Sequence, residues 1–560
     1  MTSDDGRVPG RVFVVGLDGA SFDLIAPWAA EGKLPTLARL MAEGSHGVLR
    51  SVIPPLTIPA WTSFLTGKTP GKHGLFSFLT HKPNSYDMTP FNASYLKSED
   101  LGSILSRRGR KVGLINIPCT YPPKPLNGFV VTGLETPTRN SQFTHPVQLR
   151  QELIERFDYE VERTQKYSHG NEETFLKAVE DVEQKRLEAV LALMTEHDWS
   201  FFMVVFRGTD ILSHAFWRFM DTGHPAHDSA LAARYGDTIL CHYQKMDDAI
   251  AQIMARLPED ATLLLMSDHG SGQMRRYLFL DNYFAQLGLL KLRTDIGSSF
   301  KYRLFQLGLT PKNVIALANK LGLRNLLRRL LPPSARLAVG QRFMLHRNVD
   351  WARTRAYPAF GLGQIYINLA GRQPLGPVQP GAEYEELVAY ITDKIHELRD
   401  PDTGRPIAQR VWRREEIYGP DHVDEVPDLY VEWVNDEYAD LGGIGYSGEI
   451  MSEANREMSG GHTMRGIFLA WGPHIKPGHT VEGACIVDVA PSILYLLDVP
   501  VPTDMDGVVL KEIFEDAFRH SRAIEFEEKG SRLGQEGEYV FSDDEQEAVE
   551  ERLRNLGYIA

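Results

Sequence analysis

Cysteine is scarce: Cys119, Cys241 and Cys485 are the only three in 560 residues, odd in number and far apart. That excludes a disulfide framework and a CxxC zinc site, leaving isolated, inert thiols. Basic charge is also short. With 60 Lys and Arg against 74 Asp and Glu, the formal net charge is −14. This argues against nucleic acid as a stable partner, which requires a basic footprint. A small anionic substrate stays open, because a local metal charge overrides the global field. No apolar run reaches membrane-spanning length. The opening MTSDDGRVPGR is polar and lacks the apolar stretch of a signal peptide, so a cytoplasmic location is expected. Internal repeats and low-complexity tracts are absent. What is present, 43% hydrophobic and 24% charged residues, is ordinary for a globular protein. The length exceeds a single typical core, so one elaborated domain or two to three units are expected.

Residues 11–275 alternate apolar strand candidates with helical patterns. RVFVVGL, KVGLINIP, GFVVTGL, FFMVVF and ATLLLM read as strands, and LPTLARLMAEG as a helix closed by Gly44. Residues 146–196 carry helical periodicity with dense i,i+4 charge pairs. Continuous apolar runs separated by helices predict an α/β fold with a mostly parallel sheet covered on both faces. Residues 296–349 break the pattern: 54 residues hold ten Lys or Arg and no acid. They read as a solvated helical insertion with an apolar core face, or as a cap over an anionic substrate or a patch for anionic lipid. Mixed α/β character returns over 355–435. GIFLAWGP and VDVAPSILYLLDV complete the core. The tail from 516 is acidic, with Ser542 and Glu545 spaced as a capping box.

Four clusters carry the chemistry: Asp18 in VVGLDGAS, Asp210 and His214 in TDILSH, Asp268 and His269 in SDHGSG, and His462 in GGHTMRG. Three follow apolar strand candidates, where open α/β sheets gather ligands. Asp210 and His214 are four apart, so a helical turn aims both the same way, a common metal-ligand spacing. Asp268 and His269 are adjacent and reach one metal only if the chain turns there. Thr57 stands two residues before Pro59, a place that also suits a helix N-cap. Trp61, Phe216 and Trp217 flank these residues as pocket or core aromatics.

The order Asp, Thr, Asp-x-x-x-His, Asp-His, His resembles the alkaline phosphatase superfamily, and within it the type I phosphodiesterase/nucleotide pyrophosphatase family. PPLTIPAWTSFLTGKTPGKHG carries the T-x-P…T-G…HG signature. The resemblance implies an alkaline-phosphatase-like three-layer sandwich over residues 8–290 and 455–515. Around it lie a basic helical insertion at 291–350, an α/β subdomain at 351–454 and an acidic helical tail at 516–560. It implies two metals, expected to be Zn2+, with Mn2+ or Fe also compatible with such ligands. Asp18, Asp268 and His269 hold one together with the Thr57 oxygen; Asp210, His214 and His462 hold the other. Thr57 becomes the nucleophile and forms a phosphothreonine. In the family an Asn lies 21 positions after the nucleophile and binds phosphate; here that position is Phe78. Asn116 or Arg207 is expected to supply the missing donor, with Trp61 near the substrate.

The expected activity is hydrolysis of phosphate diesters or pyrophosphate bonds in a small phosphate ester or nucleotide-like substrate. The alternatives are a phosphomonoesterase or phosphotransferase acting on a sugar or lipid headgroup phosphate, and a membrane-surface-binding protein using residues 296–349. No sulfatase-type C-x-P-x-R motif is present, since no Arg stands two residues beyond Pro59. The sequence sets no oligomeric state.

Overall fold

The computed structural model describes residues 10–163, 165–293, 348–359, 363–420, 424–441, 449–454, 457–528 and 539–556. The strands that concern the site are β1 (Arg11–Leu17), β2 (Ser45–Arg50), β3 (Val112–Ile117), β4 (Gly128–Thr132), β5 (Thr144–His145), β6 (Phe201–Phe206), β7 (Ala261–Met266), β8 (Gly270–Gln273), β9 (Gly460–Thr463), β10 (Arg465–Trp471) and β11 (His479–Thr480). The helices are α1 (Thr57–Thr66), α2 (Glu172–Glu196), α3 (Gly208–Met220), α4 (Thr238–Met254) and α5 (Asp543–Leu556).

A nine-stranded sheet in the order β11-β2-β10-β7-β1-β6-β3-β4-β5 forms the centre. The block β7-β1-β6-β3-β4 is parallel throughout, while β10 and β5 run antiparallel to their neighbours. FFMVVF and ATLLLM are buried along their whole length, as expected of strands covered on both faces. β1 shows why three layers result. Phe13, Val15 and Leu17 point into one core with residues of α2, α3 and α4. Val12 and Val14 point into the other, with Ala60, Trp61 and Phe64 of α1. The alternation along one strand thus serves two helical layers.

The region read as helical over 146–196 is two helices, Leu149–Phe157 and α2. The first ends on Asp158 in the left-handed conformation, and the connection brings the buried Glu162 to Arg207 after β6. A second, four-stranded antiparallel sheet (Ala356–Pro358, Gln364–Ile367, Leu429–Trp433, Ala408–Arg413) packs with the helix Ala382–His396. It meets the core through Trp351, stacked on Tyr86 with ring centroids 3.8 Å apart. The basic segment read as a cap or membrane patch falls, over 294–347, outside the described residues. Among those described, no helix is long and apolar enough to cross a membrane.

The tail folds back on the core. Glu545 N–H bonds Ser542 Oγ at 3.3 Å and Ser542 N–H bonds Glu545 Oε2 at 2.9 Å, the expected capping box. Val549, Leu553 and Leu556 of α5 are buried. Arg552 donates to the carbonyls of Leu134, Thr136 and Pro137.

Candidate active site

Three adjacent parallel strands deliver three carboxylates to one end of the sheet. Leu17 pairs with Phe206 and Gly16 with Met266, so β1, β6 and β7 end level. Asp18 follows β1 directly, its N–H bonded to Phe206 O at 2.9 Å. Asp210 sits in the first turn of α3, which starts right after β6. Asp268 and His269 occupy the turn from β7 into β8. That turn lets adjacent side chains face one way. His462 comes from β9, which is a strand antiparallel to β8 and not a loop.

Two clusters result, Asp210–His214–His462 and Asp18–Asp268–His269. In the first, Asp210 Oδ1 lies 3.2 Å from His214 Nε2 and 3.3 Å from His462 Nε2, and the two Nε2 atoms are 2.9 Å apart. In the second, His269 Nε2 lies 3.2 Å from Asp268 Oδ2 and 3.7 Å from Asp18 Oδ1. Ligand atoms on a tetrahedron with ~2.0–2.1 Å bonds stand about 3.3 Å apart, so both clusters have the right size for one ion each.

The imidazole tautomers point to the same use. His214 Nδ1–H donates to Gly460 O at 2.7 Å, His462 Nδ1–H to Pro55 O at 2.9 Å and His269 Nδ1–H to Gly270 O at 3.0 Å. A ring that carries its proton at Nδ1 turns Nε2 into the site, the orientation a metal ligand needs. At 2.9 Å the Nε2 atoms of His214 and His462 share a proton or flank a cation. Buried polar atoms without hydrogen bonds include Asp18 Oδ1, Asp268 Oδ2, His269 Nε2 and Thr57 Oγ1. Such atoms are costly unless something else binds them.

The carboxylates show the same strain. Burial, followed by the Asp210 charge, pushes Asp18 up to about 7. Burial and the Asp18 charge push Asp268 well above the ordinary range. Burial also works upward on Asp210, but His214 and His462 outweigh it and hold that carboxyl well below its ordinary value. Burial acts downward on His214, yet Asp210 raises it. Burial and the neighbouring His462 push His269 well down. Three buried carboxyls whose like charges oppose one another form a field suited to cations.

Thr57 is fully buried and opens α1. It is not the N-cap that its spacing from Pro59 also allows: Leu56 occupies that position and no side chain caps the helix. The helix is tied to both clusters. Pro55, two residues before Thr57, accepts from His462; Trp61, one turn after it, donates Nε1–H to Asp18 Oδ2 at 3.3 Å.

The residues expected to replace the family's Asn are engaged inside the protein. Arg207 is fully buried and bonds Asp18 and Glu162. Asn116 takes a positive φ of 59° at the end of β3 and donates its amide to Val205 O at 2.9 Å. Phe78 is buried in the hydrophobic core, as is Trp61. Gly19 also stands at the site. Its φ is 68°, its N–H bonds Asp268 Oδ1 at 3.1 Å, and an added Cβ would stand 3.0 Å from Asp210 Oδ1. It lies between the two clusters, and its only sequence signal is its place directly after Asp18.

The family model for type I phosphodiesterase / nucleotide pyrophosphatase matches residues 12–466. Among solved structures, human ectonucleotide pyrophosphatase/phosphodiesterase 5 aligns at 14% identity and TM-score 0.49, covering 90% of this chain and 100% of its own. The murine protein aligns at 14% identity and TM-score 0.48 with the same coverage. So does an inactive form of the murine protein in complex with AMP, again at 14% identity, TM-score 0.48, and 90% and 100% coverage. A search of curated proteins finds no match.

Proposed function

The chain belongs to the type I phosphodiesterase/nucleotide pyrophosphatase family, metal-dependent hydrolases of phosphoric esters, and on that premise we propose that it cleaves small phosphate diesters or nucleotide-like pyrophosphates through a phosphothreonine at Thr57. The observation that carries this reading is the position of α1. It presents a buried, unbonded Thr57 hydroxyl between Pro55, which bonds a ligand of one cluster, and Trp61, which bonds a ligand of the other.

Asp18, Asp268 and His269 would hold one zinc ion and Asp210, His214 and His462 the other; their carboxylate and imidazole donors suit that metal. When bound, such a pair supplies Lewis-acid stabilisation of the attacking and departing oxygens and lowers the pKa of a coordinated hydroxyl. Thr57 Oγ1 gives up its proton to solvent as it bonds to phosphorus, while the bond from phosphorus to the leaving oxygen breaks and the leaving group takes up a proton. Water then adds to phosphorus and breaks its bond to Thr57 Oγ1, releasing the remaining phosphate monoester and restoring the hydroxyl. First-turn N–H groups of α1, which have no partner within the helix, favour the non-bridging oxygens of a phosphate at that end.

The test is hydrolysis of bis-p-nitrophenyl phosphate by the full chain, as wild type and as Thr57→Ala, with zinc or after chelation. Chelation and Thr57→Ala are each expected to lower kcat by at least about 10^3-fold, the scale seen when a group acting at the reacting centre is removed. Turnover that persists in the chelated Thr57→Ala protein overturns the reading.

A further inference from the structure

Asp18 has two carboxylate oxygens in different surroundings. Oδ1 makes no hydrogen bond and faces His269 Nε2 at 3.7 Å. Oδ2 accepts from Trp61 Nε1–H at 3.3 Å and from Arg207 Nε–H at 3.4 Å. We propose that Arg207 and Trp61 are positioning residues that fix the rotation of the Asp18 carboxylate, leaving Oδ1 for a metal at the Asp18–Asp268–His269 cluster. This rests on the two-metal reading above.

Both donors are themselves held. The second arm of the Arg207 guanidinium bonds Glu162 Oε2, and its backbone N–H bonds Glu183 Oε1 at 3.2 Å. Glu183 in turn pairs with the fully buried Arg186, which also donates to Val161 O at 2.7 Å. The guanidinium is thus a fixed bridge between a strand end and the 158–171 connection. The Trp61 indole packs against β1, where Gly16 leaves it room. A Cβ at Gly16 would stand 2.5 Å from Trp61 Cη2, so the indole cannot rotate away without opening the core. Because Trp61 is one helical turn from Thr57, its hydrogen bond also sets the nucleophile's helix against the ligand.

The charge of Arg207 gives the inference a discriminating sign. A cation beside a metal site repels the metal, so at a pH where Asp18 is fully ionised Arg207→Gln would on Coulomb grounds tighten binding. A positioning role demands the reverse. Loss of an outer partner typically costs about 10–100-fold in metal affinity.

The experiment is a zinc titration of the metal-stripped full chain in competition with a chromophoric chelator, for wild type, Trp61→Phe, Arg207→Gln and Asp268→Asn. Wild type is expected to bind two equivalents. Trp61→Phe and Arg207→Gln should each weaken one of them by about 10–100-fold, the same equivalent that Asp268→Asn abolishes, and leave the other unchanged. Trp61→Phe keeps every charge, and so carries the test alone if Arg207→Gln does not fold. Unchanged or tightened binding in the folded variants overturns the inference, as does a parallel fall at both sites, which marks general loosening. A wild type that binds fewer than two equivalents overturns the two-metal reading instead, and the inference with it.

Discussion

At Gly19 the chain passes between the two clusters with φ of 68°. An L-residue there carries about 1–2 kcal/mol of backbone cost, and its Cβ would stand 2.9 Å from Ser271 Oγ and 3.0 Å from Asp210 Cβ. Gly19→Ala is therefore expected to cost about 1–2 kcal/mol in urea unfolding and to lower kcat/KM on a diester by far more, about 10^2-fold, because a 1 Å shift of reacting groups has that effect. Equal proportional losses would show that Gly19 matters only for folding. His242 offers a test away from the ligands. Both its ring nitrogens are buried without hydrogen bonds, and burial, with Lys245 adding to it, pushes its pKa from 6.5 down to about 3. Between these values the unfolded chain binds a proton that the folded one refuses, so this contribution is intact above pH 6.5 and lost as pH falls towards 3. At pH 5 the loss is about 2 kcal/mol. His242→Gln is expected to be less stable than wild type at pH 7, but to lose about 2 kcal/mol less on going to pH 5; parallel stability curves would count against it. His73, held down to about 3 by burial and Lys68, adds a similar slope in both proteins.

Individual elements were legible where the apolar period was unambiguous. RVFVVGL, FFMVVF and ATLLLM are strands because nothing but a doubly covered sheet accepts such runs, and the Asp210–His214 spacing announced the first turns of α3. The 158–171 connection was not legible. Its residues follow no period, and Glu162 meets Arg207 from 45 positions away. Phe78 shows the reverse limit: the missing donor was visible in the sequence, while the partners of Asn116 (Val205 O) and of Arg207 (Asp18 and Glu162) are set only by the folded chain. Helix α5 is a further case, since an acidic tail gives no hint that one of its cations reaches inward to main-chain carbonyls. Arg552 meets three carbonyls of the 134–137 loop, and burial lowers its pKa although Glu162 and Glu135 act against that. Arg552→Met should leave those carbonyls unpaired at a cost of about 2–4 kcal/mol. It is expected to lower the urea midpoint and to make the C-terminal segment the first site of limited proteolysis. An unshifted midpoint and an unchanged cleavage pattern would show that the tail merely rests on the surface.

For the molecule as a whole, the distribution of the candidate ligands would make metal and fold one equilibrium. Asp18, Asp210, Asp268 and His462 come from the beginning, middle and end of the sheet's chain path, and none of their convergence survives unfolding. An ion that binds only the folded chain stabilises it by RT ln(1 + [L]/Kd), about 4 kcal/mol per site at a thousandfold excess over Kd. Without an ion, Asp18 and Asp268 are left with raised proton affinity, so stripping the protein removes a stabilising ligand and exposes a mutual repulsion together. Thermal unfolding of wild type is therefore expected to move to clearly higher temperature with zinc than with chelator. In Asp268→Asn the zinc-induced rise should shrink to roughly the share of one site, while the chelated variant should equal or exceed chelated wild type, because one of the opposed carboxylates has gone. That reversal separates a ligand from a merely structural acid: a residue that only stabilised the fold would make the variant less stable with and without metal alike. Identical unfolding temperatures of wild type in zinc and chelator would mean that the two clusters close on each other without any ion.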